Sequence, residues 1–196
     1  MNQDRRDRLR DAAMTVLAEA GGRGLTHRAV DAAAAVPLGT AKNYFPNRDA
    51  LLRAVAERCV ERYRELAAGL AGTGPGPSGR AELAAFLAGL LRDVAGPGRP
   101  RLLAYLELQT EATRRPWLAA LLDPIGAADF AAYGHLLAGA GLPAGPERAR
   151  ALTLALHGAI PHLLAGAPQT LAAAGLEDLE GFTRRVLDTV CPGNEA

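Results

Sequence analysis

The sequence predicts an all-α protein of about nine helices. Apolar residues recur at three- and four-residue spacing along most of the chain, and Gly and Pro separate the segments in which they do so. The alternating runs rich in Val, Ile and Thr that predict strands are missing from the sequence. With 196 residues, of which 49% are hydrophobic and 22% charged, the chain can bury a core of its own.

Four helices are predicted in the first third of the chain. The first ends at Gly21 and Gly22, where a C-cap is expected. Thr26 stands where a hydroxyl can cap a short second helix. The third spans residues 38–45, and the fourth begins after Pro46 with apolar residues along one face.

A Gly- and Pro-rich linker is predicted at residues 72–79. Five further helices follow it, at about 81–95, 101–113, 116–140, 147–166 and 177–190. Pro124 leaves open whether the third of these is one helix or two. The segment 147–166 is apolar almost all round, so we expect burial on two sides, one by the subunit's own core and one by a partner's copy. The alternative is a central helix buried within one chain.

The charge is distributed unevenly. Residues 1–58 carry 10 Lys+Arg against 7 Asp+Glu, whereas residues 59–196 carry 12 against 14. This excess of positive charge is weak evidence for a polyanionic partner. Cys59 and Cys191 form neither a disulfide framework nor a metal-ligand spacing, and the N-terminus does not resemble a secretory signal. We therefore expect a cytoplasmic protein with no membrane partner, no metal and no cofactor.

Residues 25–45 describe a helix, a tight turn and a second helix that is too short to be stable alone. Val36, Tyr44 and Phe45 are expected to anchor the short helix on its neighbours, so that its opposite face points outward. That face is expected to offer two small residues, Gly39 and Ala41, and three hydrogen-bond donors, Thr40, Lys42 and Asn43.

Such a face suits the major groove of DNA, because a helix fits that groove and Lys and Asn recognise guanine and adenine edges. Phosphate contacts are expected from the flanks, namely from Thr26, His27, Arg28 and Arg48. Taken singly, each of these residues is typical of an ordinary solvated surface. Their joint occurrence in one helix-turn-helix frame indicates DNA binding.

The run at residues 34–52, AAVPLGTAKNYFPNRDALL, resembles the N-terminal signature of the TetR family of transcriptional regulators. The resemblance implies a homodimeric repressor with a DNA-binding domain at residues 1–50. It also implies a larger ligand-binding and dimerisation domain at residues 51–196, in which a small effector changes the spacing of two DNA-reading heads. Tyr44 matches a position that contacts the DNA backbone in the family.

Four residues depart from the family pattern. Lys42 stands where Tyr is frequent, and Pro37 stands where Ser usually caps the third helix. Ala35 replaces a turn Gly, and Asp31 occupies a position where a small residue is usual. The resemblance therefore does not imply a base preference for this chain, and its third helix is expected to lack the usual side-chain cap.

The larger domain is expected to bind an apolar or aromatic small molecule. Aromatic surface and sparse polar groups there suggest a pocket lined by Phe86, Leu90, Tyr105, Gln109, Trp117, Tyr133 and His157. Pro161 frees the carbonyl of His157, which predicts either a ligand anchor or a simple kink. A four-helix dimer interface is predicted from two helices of each subunit through Leu152, Leu156, Ala159, Leu163, Phe182 and Val186.

Catalysis finds little support in the sequence. The single serine, Ser78, lies in the linker, and the glycines at positions 74, 76 and 79 spell GxGxxG without a preceding strand. Glu107 and Glu111 lie one helical turn apart, which is typical of a hydrated face or of an ion pair with a nearby arginine. The alternative to a regulator is a helical small-molecule carrier or enzyme with a non-functional DNA-binding head.

Overall fold

The computed structural model describes residues 3–72 and 76–193, and within those residues it contains ten α-helices and no strand. The prediction of an all-α fold is confirmed. The helices are α1 Gln3–Gly24, α2 His27–Ala33, α3 Thr40–Tyr44, α4 Arg48–Gly72, α5 Gly79–Ala95, α6 Arg99–Ala112, α7 Pro116–Gly139, α8 Pro146–Ala165, α9 Pro168–Ala173 and α10 Leu179–Val190.

Most predicted helices match these bounds; two details differ, and one question that the sequence left open, at Pro124, is answered. The third helix begins at Thr40 and not at residue 38, for a reason given below. The helix α7 continues through Pro124. The six-residue α9 was not predicted, because a segment shorter than two turns shows no apolar period. Of the predicted linker, residues 73–75 lie outside the described part of the chain, as does the first glycine of the GxGxxG pattern.

The chain divides into two compact units, of which unit 1 comprises Met1–Leu70 and Pro100–Ile125. Its core is formed by buried side chains of α1, α4, α6 and the start of α7, among them Leu9, Leu17, Leu52 and Leu108. Phe45, just after α3, is 2% exposed and belongs to the same core, as predicted. Each such leucine stabilises the fold by roughly 1.5–3 kcal/mol. This core holds the short helices α2 and α3 in place.

An ion-pair network joins α1 to α4 in unit 1. The guanidinium of Arg10, which is 5% exposed, donates to the Ala54 carbonyl at 3.2 Å and to Glu61 at 2.7 Å. Arg58 donates to both oxygens of Asp11 at 2.8 and 2.9 Å. Burial alone would raise the pKa of Asp11, but the hydrogen bonds and charges of Arg58 and a neighbouring arginine outweigh it and lower that pKa. The network fixes the two long helices against each other.

Unit 2 comprises Ala71–Arg99 and Gly126–Ala196. Leucines of α5, α7, α8 and α10 form its core: Leu83, Leu87, Leu137, Leu152 and Leu187. The buried hydroxyl of Thr183 donates to the Ala84 carbonyl at 2.8 Å, which ties α10 to α5. Arg99 donates to the Leu164 carbonyl at 2.7 Å near the end of α8. No helix in the described part of the chain is both long and apolar enough to span a membrane.

Candidate nucleic-acid interface

The start of α2 is fixed by a side-chain cap and by a contact with the end of α3. The hydroxyl of Thr26 accepts a hydrogen bond from the Ala29 N–H at 3.1 Å, so the predicted cap is confirmed. The ring Nε2 of His27 donates to the Phe45 carbonyl at 2.6 Å. That nitrogen therefore links the start of α2 to the end of α3, and the phosphate contact expected of His27 stays a prediction.

The helix α2 ends in a Schellman motif built without glycine. The Val36 N–H donates to the Asp31 carbonyl at 3.0 Å, and the Ala35 N–H donates to the Ala32 carbonyl at 3.1 Å. This geometry requires a left-handed residue, and Ala35 has a φ of 51°. From α1, Arg8 donates to the carbonyls of Ala34 and Ala35 at 3.0 and 3.3 Å. The turn is thus strained at Ala35 and supported by Arg8.

A tight turn over residues 37–40 separates Val36 from α3. The Thr40 N–H donates to the Pro37 carbonyl at 3.1 Å, and Gly39 has φ 89° and ψ −7°. These angles are typical of the third residue of a type II turn and strongly favour glycine. The Thr40 hydroxyl also donates to the Pro37 carbonyl, at 2.5 Å. Because the chain turns here, the helix predicted from residue 38 starts two residues later.

Asp31 caps α3 from a distance of eight residues along the chain. One of its carboxylate oxygens accepts from the Gly39 N–H and the other from the Ala41 N–H, both at 2.7 Å. Its side chain is buried, and the whole residue is 1% exposed. The usual side-chain cap of the third helix is absent, as expected, because Gly39 stands at the N-cap. Asp31, which departs from the family pattern, accepts the N–H groups at the start of α3 in its place.

The outward surface of this frame is polar and positively charged. Lys42 and Asn43 of α3 are exposed, as are Thr26 and Arg28 at the start of α2. Ala41, which was expected on the same face, is instead fully buried in the core of unit 1. Lys42 is the only lysine in the sequence. Asp31 is the one acidic residue between positions 26 and 48, and its carboxylate is turned inward. The exposed side chains of the segment consequently bring positive but no negative charge to a partner.

Two residues that were predicted to contact DNA also make contacts within unit 1. Arg48 donates to the carbonyls of Leu25 and Gly22 at 2.9 and 2.6 Å, and its guanidinium lies 3.6 Å from Glu111. These contacts hold the turn before α2, and the Arg48 side chain is still 41% exposed, so its phosphate contact stays a prediction. Tyr44 is half-buried against the core of unit 1, with its ring 6.3 Å from that of Phe45. Tyr44 therefore packs α3 against the core of unit 1.

Two carboxylates of α6 contact the same turn. Glu107 accepts from the Gly22 N–H at 2.9 Å, and Glu111 pairs with Arg48 and, at very short range, with Arg115. The expected ion pair of Glu111 with a nearby arginine is confirmed. The helix α6 is thereby joined to the backbone that leads into α2.

Comparisons with known proteins agree with this geometry. The family model for the tetracyclin repressor-like C-terminal domain matches residues 78–189. The solved structure of the multidrug binding protein EbrR in complex with imidazole is 31% identical, covering 97% of each chain with a TM-score of 0.64. A TetR-family member from Streptomyces coelicolor A3 is 33% identical over 96% of this chain and 98% of that one, with a TM-score of 0.64. This chain belongs to the TetR family.

As a TetR-family protein it is a transcriptional regulator and not an enzyme. A transcriptional regulator from Rhodococcus sp. Rha1 shares the fold with a TM-score of 0.74, at 22% identity over 94% of this chain and 95% of that chain. No curated protein matches the sequence.

The predicted ligand-binding residues of this TetR-family chain fall into both units. Tyr105, Gln109 and Trp117 belong to unit 1, where Gln109 donates to the Tyr105 hydroxyl at 3.0 Å. The Arg53 guanidinium lies over the Trp117 ring, 4.5 Å from the ring centre, so Trp117 packs within unit 1. Phe86, Leu90, Tyr133 and His157 belong to unit 2, where the first three pack against one core.

Within unit 2, α7 and α8 bring two predicted residues together with a third that was missed. The rings of Tyr133 and His157 lie 6.4 Å apart, edge to face, and His157 Nε2 lies 3.2 Å from Asp129. Burial, with a further contribution from the charge of Asp129, raises the pKa of the Tyr133 hydroxyl. This hydroxyl therefore stays protonated and remains a hydrogen-bond donor at neutral pH.

The residues predicted for dimerisation divide by burial. Leu152, Leu156 and Ala159 face the core of unit 2, and Leu152 is 0% exposed. All three pack in that core with 4% exposure or less, and a role for them in dimerisation stays a prediction. Leu163, Phe182 and Val186 are partly buried against that core and keep some surface. The exposed face of α8 instead carries Leu154, Gly158, Pro161 and His162.

Sequence reasoning missed the residues that act through tertiary contacts. No local capping pattern links Asp31 with Gly39, and no motif links Arg8 with Ala35. A signal for Asp31 was nonetheless present, because the loss of a capping Ser at position 37 coincided with an acid at an unusual place. Arg8 and Asp129 carried no comparable signal.

Proposed function

We propose that this TetR-family regulator is a repressor that binds a pseudo-palindromic DNA operator as a homodimer and is released by a small aromatic effector. The observation that carries the DNA-binding part is the clamped, outward face of α3. Lys42 and Asn43 are exposed on a five-residue helix whose backbone is fixed by Asp31. A helix this short is ordered only by such tertiary support, so its donors are oriented before DNA arrives.

The contacts divide into base readers and phosphate contacts. Lys42 and Asn43 are proposed to donate to base edges in the major groove. Arg28 and the hydroxyl of Thr26, both at the start of α2, are proposed to contact phosphates. Arg48 and His27 support this arrangement, because Arg48 holds the turn before α2 and His27 holds the end of α3.

Selection of binding sites from random duplex DNA tests this proposal. We expect the chain to enrich two inverted half-sites about one helical turn apart. Lys42→Ala should relax the base preference, whereas Arg28→Ala should weaken binding to every sequence alike and flatten the salt dependence. The result that contradicts the proposal is an absence of any enriched sequence, which a carrier with an inactive head would give.

The dimer is proposed to form through the exposed face of α8. Leu154 is 62% exposed, and Gly158, Pro161 and His162 follow it on the same side of the helix. Burial of such a face against a second copy would remove apolar surface from water. Leu154→Arg should shift the sedimentation behaviour from dimer to monomer, whereas Leu66→Arg on α4 should leave it unchanged. An unaltered dimer in the first variant would exclude this face.

The effector is proposed to bind in unit 2 beside Tyr133. The EbrR relative, 32% identical, is described in complex with ethidium and with proflavin. The cluster of Tyr133, His157 and Asp129 offers this chain an aromatic face, a hydroxyl donor and a carboxylate. Ethidium and proflavin are therefore suitable probes for a fluorescence titration.

The titration has a matched pair of variants. Tyr133→Ala should weaken binding of either probe by roughly three- to tenfold, as expected for the loss of one aromatic contact. Tyr105→Ala, which removes a tyrosine of unit 1, should leave binding unchanged. The opposite pattern would move the effector site to unit 1, and no saturable binding of either probe would contradict an aromatic effector of this kind.

A further inference from the structure

A large apolar side chain stands at the tip of the turn that leads into α3. Leu38 is 74% exposed, the most exposed of the large hydrophobic residues in the described part of the chain. Exposed apolar surface is unfavourable in water, and Leu38 lies in the turn of residues 37–40, whose backbone is fixed on both sides. Single exposed leucines occur on many proteins, so only the residues around Leu38 can indicate whether its exposure is functional.

The charged and polar side chains of α3, which follow Leu38 along the chain, carry no negative charge. Pro37 and Gly39 beside Leu38 are exposed, and so are Lys42 and Asn43, four and five residues further on. The one acidic residue of the segment, Asp31, is turned inward to cap α3. An apolar protein partner would have to bury the only lysine of the sequence next to this leucine, at a cost in desolvation. A polyanion gains from the same charge.

Duplex DNA combines that charge with an apolar feature. In the major groove, the 5-methyl group of thymine is the apolar group that distinguishes a T·A pair, and apolar side chains recognise it by contact. The turn places Leu38 ahead of Lys42 along the chain, at the N-terminal end of a reading helix, which is the end that contacts base edges in helix-turn-helix proteins.

We propose that Leu38 contacts the 5-methyl group of a thymine in each half-site and selects T·A at that position. The inference rests on the proposed function, since it requires that α3 enters the major groove. Leu38 would recognise a base through an apolar contact, without a hydrogen bond, and it was not among the DNA-binding residues predicted from the sequence.

Deoxyuridine scanning tests the contact, because uracil lacks only the methyl group of thymine. The duplex enriched by the unaltered protein is resynthesised with one thymine at a time replaced by uracil. Replacement of the contacted thymine should weaken binding by roughly fourfold, the effect of one buried methyl group. For Leu38→Ala the same replacement should change affinity by less than about 1.5-fold, because the partner of the methyl group is gone.

Two controls separate this contact from general damage. Leu38→Ala should unfold at the same denaturant concentration as the unaltered protein, because its side chain is exposed. Leu66→Ala, which removes a partly exposed leucine of α4, should retain the full uracil penalty.

The possible failures are distinguishable. If no duplex is enriched, the proposed function fails and the inference fails with it. In the other case, a duplex is enriched, and every uracil replacement lowers the affinity of the unaltered protein and of Leu38→Ala by the same factor. DNA binding is then supported, and the contact of Leu38 with thymine is overturned.

Discussion

Removal of the Asp31 carboxylate should destabilise the protein and weaken DNA binding together. Both oxygens accept a backbone N–H at 2.7 Å in a site that is 1% exposed. A hydrogen bond to a charged group contributes about 1.5–3 kcal/mol, and an unsatisfied buried amide adds a cost. We therefore expect Asp31→Ala to lower the free energy of unfolding by about 3 kcal/mol, and Asp31→Asn, which keeps one acceptor oxygen, by roughly half of that.

The change in DNA affinity shows whether Asp31 acts through its cap on α3 or only through its negative charge. Loss of an acidic residue near DNA should strengthen binding electrostatically, whereas loss of the cap should weaken it by about tenfold or more because α3 is no longer held in place. Asp49→Ala is the matched control, since it removes the same charge from an exposed position at the start of α4.

Urea denaturation and fluorescence titration with the selected operator measure both effects. The control should change stability by less than about 1 kcal/mol, as is typical of a surface carboxylate. The reasoning is refuted if Asp31→Ala unfolds at the same urea concentration as the control, or if it binds the operator as tightly as the control does.

Three further predictions concern stability and reactivity. Ala35→Gly should raise the free energy of unfolding by up to about 1 kcal/mol, because Ala35 has a φ of 51° that glycine adopts without strain; a lower urea midpoint would contradict this. The folded pKa of Asp11 is lowered, so its pairing with Arg58 contributes stability that is present above its ordinary pKa of 3.8 and is lost as the pH falls through the folded value. Urea midpoints of Asp11→Asn should accordingly depend less on pH in the acid range than those of the unaltered protein, and parallel curves would contradict the assignment. Burial raises the pKa of Cys59 to about 11 and also raises that of Cys191, so a thiol reagent at pH 8 should label neither until urea unfolds the chain; rapid labelling of the folded protein would contradict their burial.

The parts of the structure that depend on local sequence were predictable. The cap of Thr26 on Ala29 spans three residues, and the break at Gly21 follows from a glycine pair at the end of an apolar period. The helix α3 could be placed because Tyr44 and Phe45 identify its inner side. These features are encoded within a few residues, so a single sequence reveals them.

The parts that depend on tertiary partners were not predictable. Arg48 and His27 have side chains that suit phosphates, but backbone carbonyls accept their hydrogen bonds in the folded chain. The helix α8 is apolar almost all round, so its periodicity could not show that Leu152 faces inward and Leu154 outward. In each case the residue type could be read from the sequence, but the residues that it contacts in the folded chain could not.

Because Lys42 is the only lysine of the sequence, amine acetylation followed by mass spectrometry reports on α3 alone among the side chains. We expect the selected operator duplex to slow the acetylation of Lys42 by about tenfold or more, because an ammonium group that donates to a base edge is shielded from the reagent. A scrambled duplex at the same salt concentration should give much weaker protection. Equal acetylation rates with the operator, with the scrambled duplex and without DNA would contradict the claim that this helix reads the major groove.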